Sequence, residues 1–261
     1  MDESVWRFYE GFAEEYHLIF SDWMQDVRQQ AGVLDRLIQA EMGAKPAALL
    51  DCACGIGTQA IGMALLGYQV HATDFSPAAL KRAEHEASRL GLPMVFGQAD
   101  FRYLEKEVPG SFDVVISCDN AFSHLLTASS LLEAVQGMWA KLNPGGLAVI
   151  SIRDYDAIIN NGQHLASPYV DGPEVFSDEN GRRVVFQLWD WSADGRTYYL
   201  NHFIVQGNGK EWHTEHRVTV SRALLRAELD RALEQAGFTR LVWHMPEASG
   251  YYQPVVTAVK G

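Results

Sequence analysis

Three aspartates that each close a short apolar run carry the first chemical signal: Asp51 in AALLD, Asp74 in QVHATD and Asp100 in GQAD. Asp51 leads into CACGIGTQA, where Gly55 and Gly57 let the backbone pass close to a ligand and the next helix points its positive end at whatever lies there. Gly55, Gly57 and Ala60 also satisfy the dinucleotide fingerprint, so a nicotinamide or flavin enzyme is one alternative. The carboxylates argue against it. Asp51 would repel a pyrophosphate and welcome an ammonium group. Asp74 is placed to accept both hydroxyls of a ribose, with Phe75 beside it, and Asp100 to accept an adenine amino group, with Phe101 covering the ring. Each acid alone reads equally well as a helix cap or turn residue. Together, at three successive strand ends, they describe a pocket for an adenosine that carries a cationic amino-acid tail and no phosphate, the chemistry of S-adenosylmethionine.

A sulfonium donor brings its methyl group already activated, so the protein mainly aligns a nucleophile and excludes water. An amine attacks if it arrives neutral, whereas an oxygen or an indole-type carbon benefits from a base. His124, after FDVVISCDNAFS, and Asp154, after GLAVISIR, both come from the carboxyl edge of the strands, where ligands gather in an open α/β sheet. They are the expected base and orienting carboxylate. Their bland readings are a packing or capping histidine and a structural partner of Arg153. Trp23, Trp189, Trp191, Tyr198 and Tyr199 could wall a flat cavity for an aromatic or cationic acceptor, or simply pack a lid on the sheet. In a strand, Trp189 and Trp191 must face the same way and Tyr198 and Tyr199 opposite ways.

The elements that must position these residues are legible in the hydrophobic pattern. Between Ala47 and Ile152 the runs AALLD, QVHAT, MVFG, FDVVIS and GLAVISI alternate with helical stretches starting near Gly57, Pro77 and Ser129, the pattern of a doubly wound parallel sheet. After Tyr155, the strands VVFQLWDWS, TYYLNHFIV and EWHTEHRVTV are divided by the turn dipeptides Asn180-Gly181, Asp194-Gly195 and Asn208-Gly209, an antiparallel insertion. A helix from about Ser221 to Ala236 leads to GFTRLVWHM and PVVTAVK, which complete the sheet, and residues 4 to 42 read as aromatic-rich helices. The expected fold class is α/β: a Rossmann-like, doubly wound, seven-stranded sheet with N-terminal helices and an inserted antiparallel β lid. The expected division is a helical cap at 1–45, a Rossmann-like unit at 46–155 and 221–261, and a lid at 156–220.

Composition narrows the function. The chain has 261 residues, 48% of them hydrophobic, enough for a sizeable core. Its 33 acidic against 21 basic residues leave −12, which disfavours nucleic acid as a partner. Cys52, Cys54 and Cys118 lack zinc-site spacing and are too few for a disulfide framework, so no metal is expected and a reducing cytoplasm fits. The amino terminus, MDESVWRFYEGF, is unlike a signal peptide, and no apolar run reaches membrane-spanning length, so no membrane partner is expected.

These motifs resemble the class I S-adenosylmethionine-dependent methyltransferases, with the nearest likeness to the glycine and sarcosine N-methyltransferases and related small-molecule enzymes. LLDCACGIGTQA resembles that group's first motif, with Ala53 where most methyltransferases have glycine. GYQVHATDFSPAALKRA, FDVVISCDNAFSHL and LNPGGLAVISIRDYD resemble the segments around its second, fourth and fifth strands. The likeness implies that Ala53, Gly55, Asp74, Asp100, Phe101 and Asp119 line the cofactor, with Arg28 near the arginine that holds the cofactor carboxylate. It aligns Asn120, Arg153 and Tyr155 with the acceptor side, and Tyr9 and Tyr16 with the family's N-terminal tyrosines, Tyr16 joining the catalytic set. Trp23, Trp189 and Trp191 complete the expected acceptor wall. Arg153 is followed by Asp154 where the animal glycine enzymes carry an uncharged amide, so Arg153 either clamps a substrate carboxylate or is occupied by Asp154.

The reading that results is methyl transfer to an electron-rich carbon or nitrogen of a small aromatic, indole-type amine, as in secondary metabolism. Its alternatives are N-methylation of glycine or sarcosine and a non-catalytic module that binds S-adenosylmethionine. The family likeness also allows a homodimer.

Overall fold

In chain order the helices are α1 (Glu3–Phe12), α2 (Trp23–Met42), α3 (Thr58–Leu65), α4 (Pro77–Arg89), α5 (Leu104–Glu107), α6 (Ala128–Lys141), α7 (Tyr155–Asn160), α8 (Arg226–Ala236) and α9 (Pro246–Ser249). The strands are β1 (Ala48–Asp51), β2 (Gln69–Asp74), β3 (Val95–Gln98), β4 (Phe112–Ser117), β5 (Leu142–Ser151), β6 (Tyr169–Asp178), β7 (Gly181–Trp191), β8 (Thr197–Gly207), β9 (Trp212–Arg222), β10 (Phe238–His244) and β11 (Val255–Lys260). The computed structural model describes residues 3–43, 47–162, 168–178, 181–207 and 209–261. The expected boundary at residue 45 and the turn residues Asn180 and Asn208 lie outside them.

Seven strands form one sheet in the order β10-β11-β5-β4-β1-β2-β3, parallel except for β11, which runs antiparallel to both β5 and β10. The central strands are buried on both faces, which is why VVI and LAVI read as unbroken apolar runs instead of alternating ones. The strand order reverses between β1 and β4, and a crevice opens at their carboxyl ends. Local chemistry sets the helix starts that flank it. Ser76 accepts the Ala79 N–H at the start of α4, with Pro77 in the first turn, and Asp22 accepts the Gln25 N–H at the start of α2.

The second sheet is antiparallel, in the order β6-β7-β8-β9. Its parity is as expected: Trp189 and Trp191 share a face, and Tyr198 is 1% exposed where Tyr199 is 60% exposed. Phe8 and Phe12 of α1 pack on this inner face against Val185 and Ile204. Three boundaries differ from expectation. β6 adds a strand, paired antiparallel with β7, that the three expected runs of the insertion did not include. β5 begins at Leu142 and tolerates Asn143-Pro144-Gly145-Gly146 through a register break against β4. The last long helix starts at Arg226 instead of Ser221, because β9 keeps pairing with β8 out to Arg222. No helix among the described residues is long and apolar enough to cross a membrane.

Candidate active site

The loop after β1 is shaped by left-handed glycines. Gly57 has φ +96°, and a Cβ there would stand 2.8 Å from Ile61 Cδ1, so α3 packs this closely only on glycine. Asp74 at the end of β2 holds the loop: Oδ2 accepts the Gly55 N–H at 2.8 Å and Oδ1 accepts the Ser76 N–H at 2.9 Å. Burial pushes Asp74 up to about 6 despite these donors. The cleft above the loop, about 670 Å³, is lined by the predicted residues Ala53, Gly55, Asp74, Phe75, Phe101 and Asp119. Phe101 stacks on Phe122 with ring centroids 5.5 Å apart, which fixes its plane.

Three residues expected at this cleft do not line it. Asp51 lies beneath the loop, where Oδ1 accepts the Ala53 N–H at 3.3 Å, Oδ2 has no partner, and burial pushes the carboxyl up to about 7. Asp100 turns its carboxylate to Arg102, whose Nε lies 3.0 Å from Oδ1, because the guanidinium two residues on competes for the same oxygens. Arg28 stands on the exposed side of α2 with Nη1 on the Met24 carbonyl, since its position on the helix faces solvent.

Beyond the cleft, α1 and the following turn reach over the sheet edge. Glu10 anchors α1 by accepting the Ser76 hydroxyl at 2.6 Å and the Ala78 N–H at 3.1 Å. This brings the Tyr9 hydroxyl to 2.9 Å from His124 Nε2. His124 Nδ1 lies 3.0 Å from the Val220 carbonyl, which can only accept, so Nδ1 carries the proton and Nε2 accepts from Tyr9. Burial, with a smaller contribution from Arg153, pushes His124 down to about 4. Tyr16 and Tyr252 each donate a 2.6 Å hydrogen bond to Asp119, one to each oxygen. Asp119 and Asn120 are held in left-handed backbone conformations, the Asp119 N–H donating to Ser151 Oγ.

Asn120 accepts the Arg153 backbone N–H at 3.0 Å and donates to the Tyr155 hydroxyl at 2.8 Å, and Tyr155 meets the Tyr198 hydroxyl at 2.7 Å. Tyr155 is fully buried, so it supports the site from behind. Arg153 donates to Gln187 Oε1 at 3.1 Å and to Tyr198 at 3.4 Å, and its guanidinium lies 4.8 Å from the centre of the Trp189 ring. No carboxylate among the described residues is within ion-pair distance of it. Asp154 instead caps α7 through the Ala157 N–H and pairs with Arg226 at 3.1 Å. It therefore neither occupies Arg153 nor orients His124, because the chain turns into α7 at that point and carries the carboxylate toward α8.

Arg153, Asn120, His124, Tyr9 and Tyr16 border an inner chamber of about 470 Å³, which adjoins the first cleft through Tyr9, Tyr16, Asp119 and His124. Arg153 and Asp119 also border an outer cavity that opens to solvent, walled in part by Trp189 and Tyr169. Trp23 is elsewhere: it is buried between α2 and α3 with Nε1 on Thr58 Oγ1, because the helix face carrying it meets the core. Trp191 packs on Trp189 and Tyr198 and lines none of these cavities. The sequence reading missed Gln187, His202 and Tyr252. Strand parity could have found the first two, which share the inward face with Trp189 and Tyr198, whereas nothing in SGYYQPVV marks Tyr252.

Residues 49–146 match the methyltransferase domain family. The glycine/sarcosine N-methyltransferase of Halorhodospira halochloris is 24% identical over 205 residues, covering 77% of this chain and 75% of that protein. The glycine/sarcosine N-methyltransferase of Parasynechococcus marenigrum is 29% identical over 206 residues, 76% of this chain and 70% of that one. Residues 49–146 are a methyltransferase domain of the class I, S-adenosylmethionine-dependent kind. Among solved structures, Streptomyces venezuelae DesVI shares the fold of this methyltransferase with a TM-score of 0.77, at 20% identity over 95% of this chain and 98% of that one. CalS10 from Micromonospora echinaspora, an amino pentose methyltransferase solved with S-adenosylmethionine bound, gives 0.76 at 22% identity over 96% and 97%.

The first cleft of the methyltransferase fits that cofactor chemically. It carries Asp74 and Asp119 and no lysine or arginine among its lining residues, and the unpartnered Asp51 Oδ2 lies just beneath it. Such a surface favours a cation over a phosphate. When bound, S-adenosylmethionine supplies a methyl group on a positively charged sulfur.

Proposed function

We propose that this methyltransferase methylates the nitrogen of a small amine that also bears a carboxylate, the acceptor class named for its glycine/sarcosine relatives. The observation that carries this reading is Arg153, a guanidinium bordering the inner chamber whose side-chain partners are all neutral. Asp154, the residue that could have cancelled it, is engaged by Arg226. Asp171, on the same outer cavity, acts on Arg153 through space but forms no ion pair with it, so a substrate carboxylate can still meet the guanidinium directly.

In this reading Ala53, Gly55, Phe75, Phe101 and Asp119 hold the cofactor, and Asp74 accepts its ribose hydroxyls. Asp51 supports the loop and supplies negative charge. The acceptor places its carboxylate on Arg153 and its nitrogen beside Tyr9. The Tyr9 proton points to His124 Nε2, leaving the hydroxyl oxygen able to accept an N–H and orient the amine. Burial keeps Tyr9 protonated, and His124 is a weak base, so neither is suited to strip an ammonium ion. The amine therefore reacts from its neutral form, and its surplus proton leaves after transfer. Tyr9 and Tyr16 roof the reacting centre and keep water out, with α1 and the 156–220 insertion acting as cap and lid over the Rossmann-like unit of 46–155 and 221–261.

The aromatic, indole-type acceptor is the second reading. Trp189 and Tyr169 on the wall of the outer cavity support it. The test is transfer from methyl-labelled S-adenosylmethionine to glycine, sarcosine and tryptamine. Label on the nitrogen of glycine or sarcosine is expected, and label on tryptamine alone would replace the first reading with the second.

A further inference from the structure

We propose that His202, on β8, contacts the acceptor directly: its Nδ1 accepts an N–H from the substrate whose carboxylate sits on Arg153. The inference rests on the reading above and adds a second point of grip to the same chamber.

The geometry is local and contiguous. His202 faces Gln187 across the β7/β8 ladder, and Gln187 Oε1 accepts from Arg153 at 3.1 Å, so the imidazole stands one strand spacing from the residue that holds the guanidinium. Both His202 and Arg153 border the outer cavity and the inner chamber, at the passage between them. His202 is only 4% exposed, yet its Nδ1 has no hydrogen-bond partner. An unpartnered buried nitrogen carries a desolvation penalty, and one on a residue that borders a chamber can recover it from a ligand's N–H.

Three other polar side chains of the chamber are already paired. Tyr9 bonds His124, Tyr16 bonds Asp119, and Asn120 bonds Tyr155 and the Arg153 backbone. The rings of Phe8 and Phe12 lie 6.5 and 5.1 Å from the imidazole and wall it from bulk water. Charged groups around it are Arg153 at the end of β5, Arg217 opposite it on β9 and Asp119 across the chamber. Burial, helped by Arg153, pushes His202 down to about 4, so near neutral pH the ring is uncharged and one nitrogen keeps its lone pair. In the Nε2–H tautomer that nitrogen is Nδ1, an acceptor matched to an amine.

Phenylalanine separates packing from contact, because it fills the same space between Phe8 and Phe12 without a lone pair. Wild type, H202F and H202Q are compared for kcat and KM with glycine and sarcosine, for S-adenosylhomocysteine affinity by calorimetry, and for melting temperature. H202F is expected to keep the melting temperature and the S-adenosylhomocysteine affinity of wild type, and to lose about tenfold or more in kcat/KM for glycine, whose neutral amine has a second N–H besides the one offered to Tyr9. H202Q, which retains a hydrogen-bonding side chain, is expected to recover part of that loss. Full kcat/KM for glycine in H202F, or no difference between H202F and H202Q, overturns the contact. If H202F does not fold, H202L takes its place as the apolar arm. A wild-type enzyme that labels neither glycine nor sarcosine refutes the underlying acceptor reading, an outcome distinct from an active wild type with an equally active H202F.

Discussion

Replacing Arg153 with methionine removes the guanidinium while keeping a long, adaptable apolar stem beside Trp189. The surrounding groups keep partners after the change. Gln187 Oε1 still accepts from Trp189 Nε1 at 3.1 Å, Tyr198 still bonds Tyr155 at 2.7 Å, and Asn120 still accepts the backbone N–H of residue 153. The fold loses a cation–π contact worth about 0.5–2 kcal/mol and is relieved of burying a charge, so the melting temperature should stay close to wild type. Acceptor binding loses a charge-assisted hydrogen bond of about 1.5–3 kcal/mol, which predicts a fall of about 10- to 150-fold in kcat/KM for glycine or sarcosine. Steady-state kinetics should include ethanolamine, an amine without a carboxylate, whose kcat/KM should change little. S-adenosylhomocysteine affinity should also hold. An equal loss for both kinds of acceptor, or no loss for either, refutes a carboxylate on Arg153.

Tyr9→Phe should leave His124 Nε2 without its donor, lowering stability by about 1–3 kcal/mol and slowing turnover. His124→Ala should slow it to a similar degree, and the double variant should be no worse than the more damaged single one, a coupling readable in a double-mutant cycle. Asp154→Asn weakens the pair with Arg226 but can still cap α7, so turnover should stay at the wild-type level with a stability loss of about 1 kcal/mol or less, and a collapse in kcat would restore Asp154 to the chemistry. Asp51 and Asp74, raised by burial from 3.8 to about 7 and about 6, hold protons in the folded state that the unfolded chain has already lost. Melting temperature of the ligand-free protein should therefore fall as pH rises from about 4 to about 7. S-adenosylhomocysteine affinity should move the opposite way, weakening as pH drops below about 6, because ribose hydroxyls need the ionised Asp74. Calorimetric titrations across this range check both signs.

The linear chain determined the scaffold and half of the site. Buried parallel strands must read as apolar runs, helix starts need side-chain caps, and a loop that brings its backbone against a ligand needs glycine, so each leaves a local mark. Ala53, Gly55, Asp74, Phe75, Phe101 and Asp119 were legible because they sit at strand ends, where position in sequence fixes position in space. Arg28, Asp51, Asp100 and Trp23 were misplaced because the direction of a side chain depends on what competes for it: solvent for Arg28, the Ala53 N–H for Asp51, Arg102 for Asp100 and Thr58 for Trp23. Only tertiary structure decided that Asp154 pairs with Arg226, 72 residues away, and forms no ion pair with Arg153. The same is true of the Tyr9–His124 contact, which spans 115 residues. Ion pairs and hydrogen bonds between distant segments follow from packing geometry, and nothing in the spacing of the partners along the chain records them.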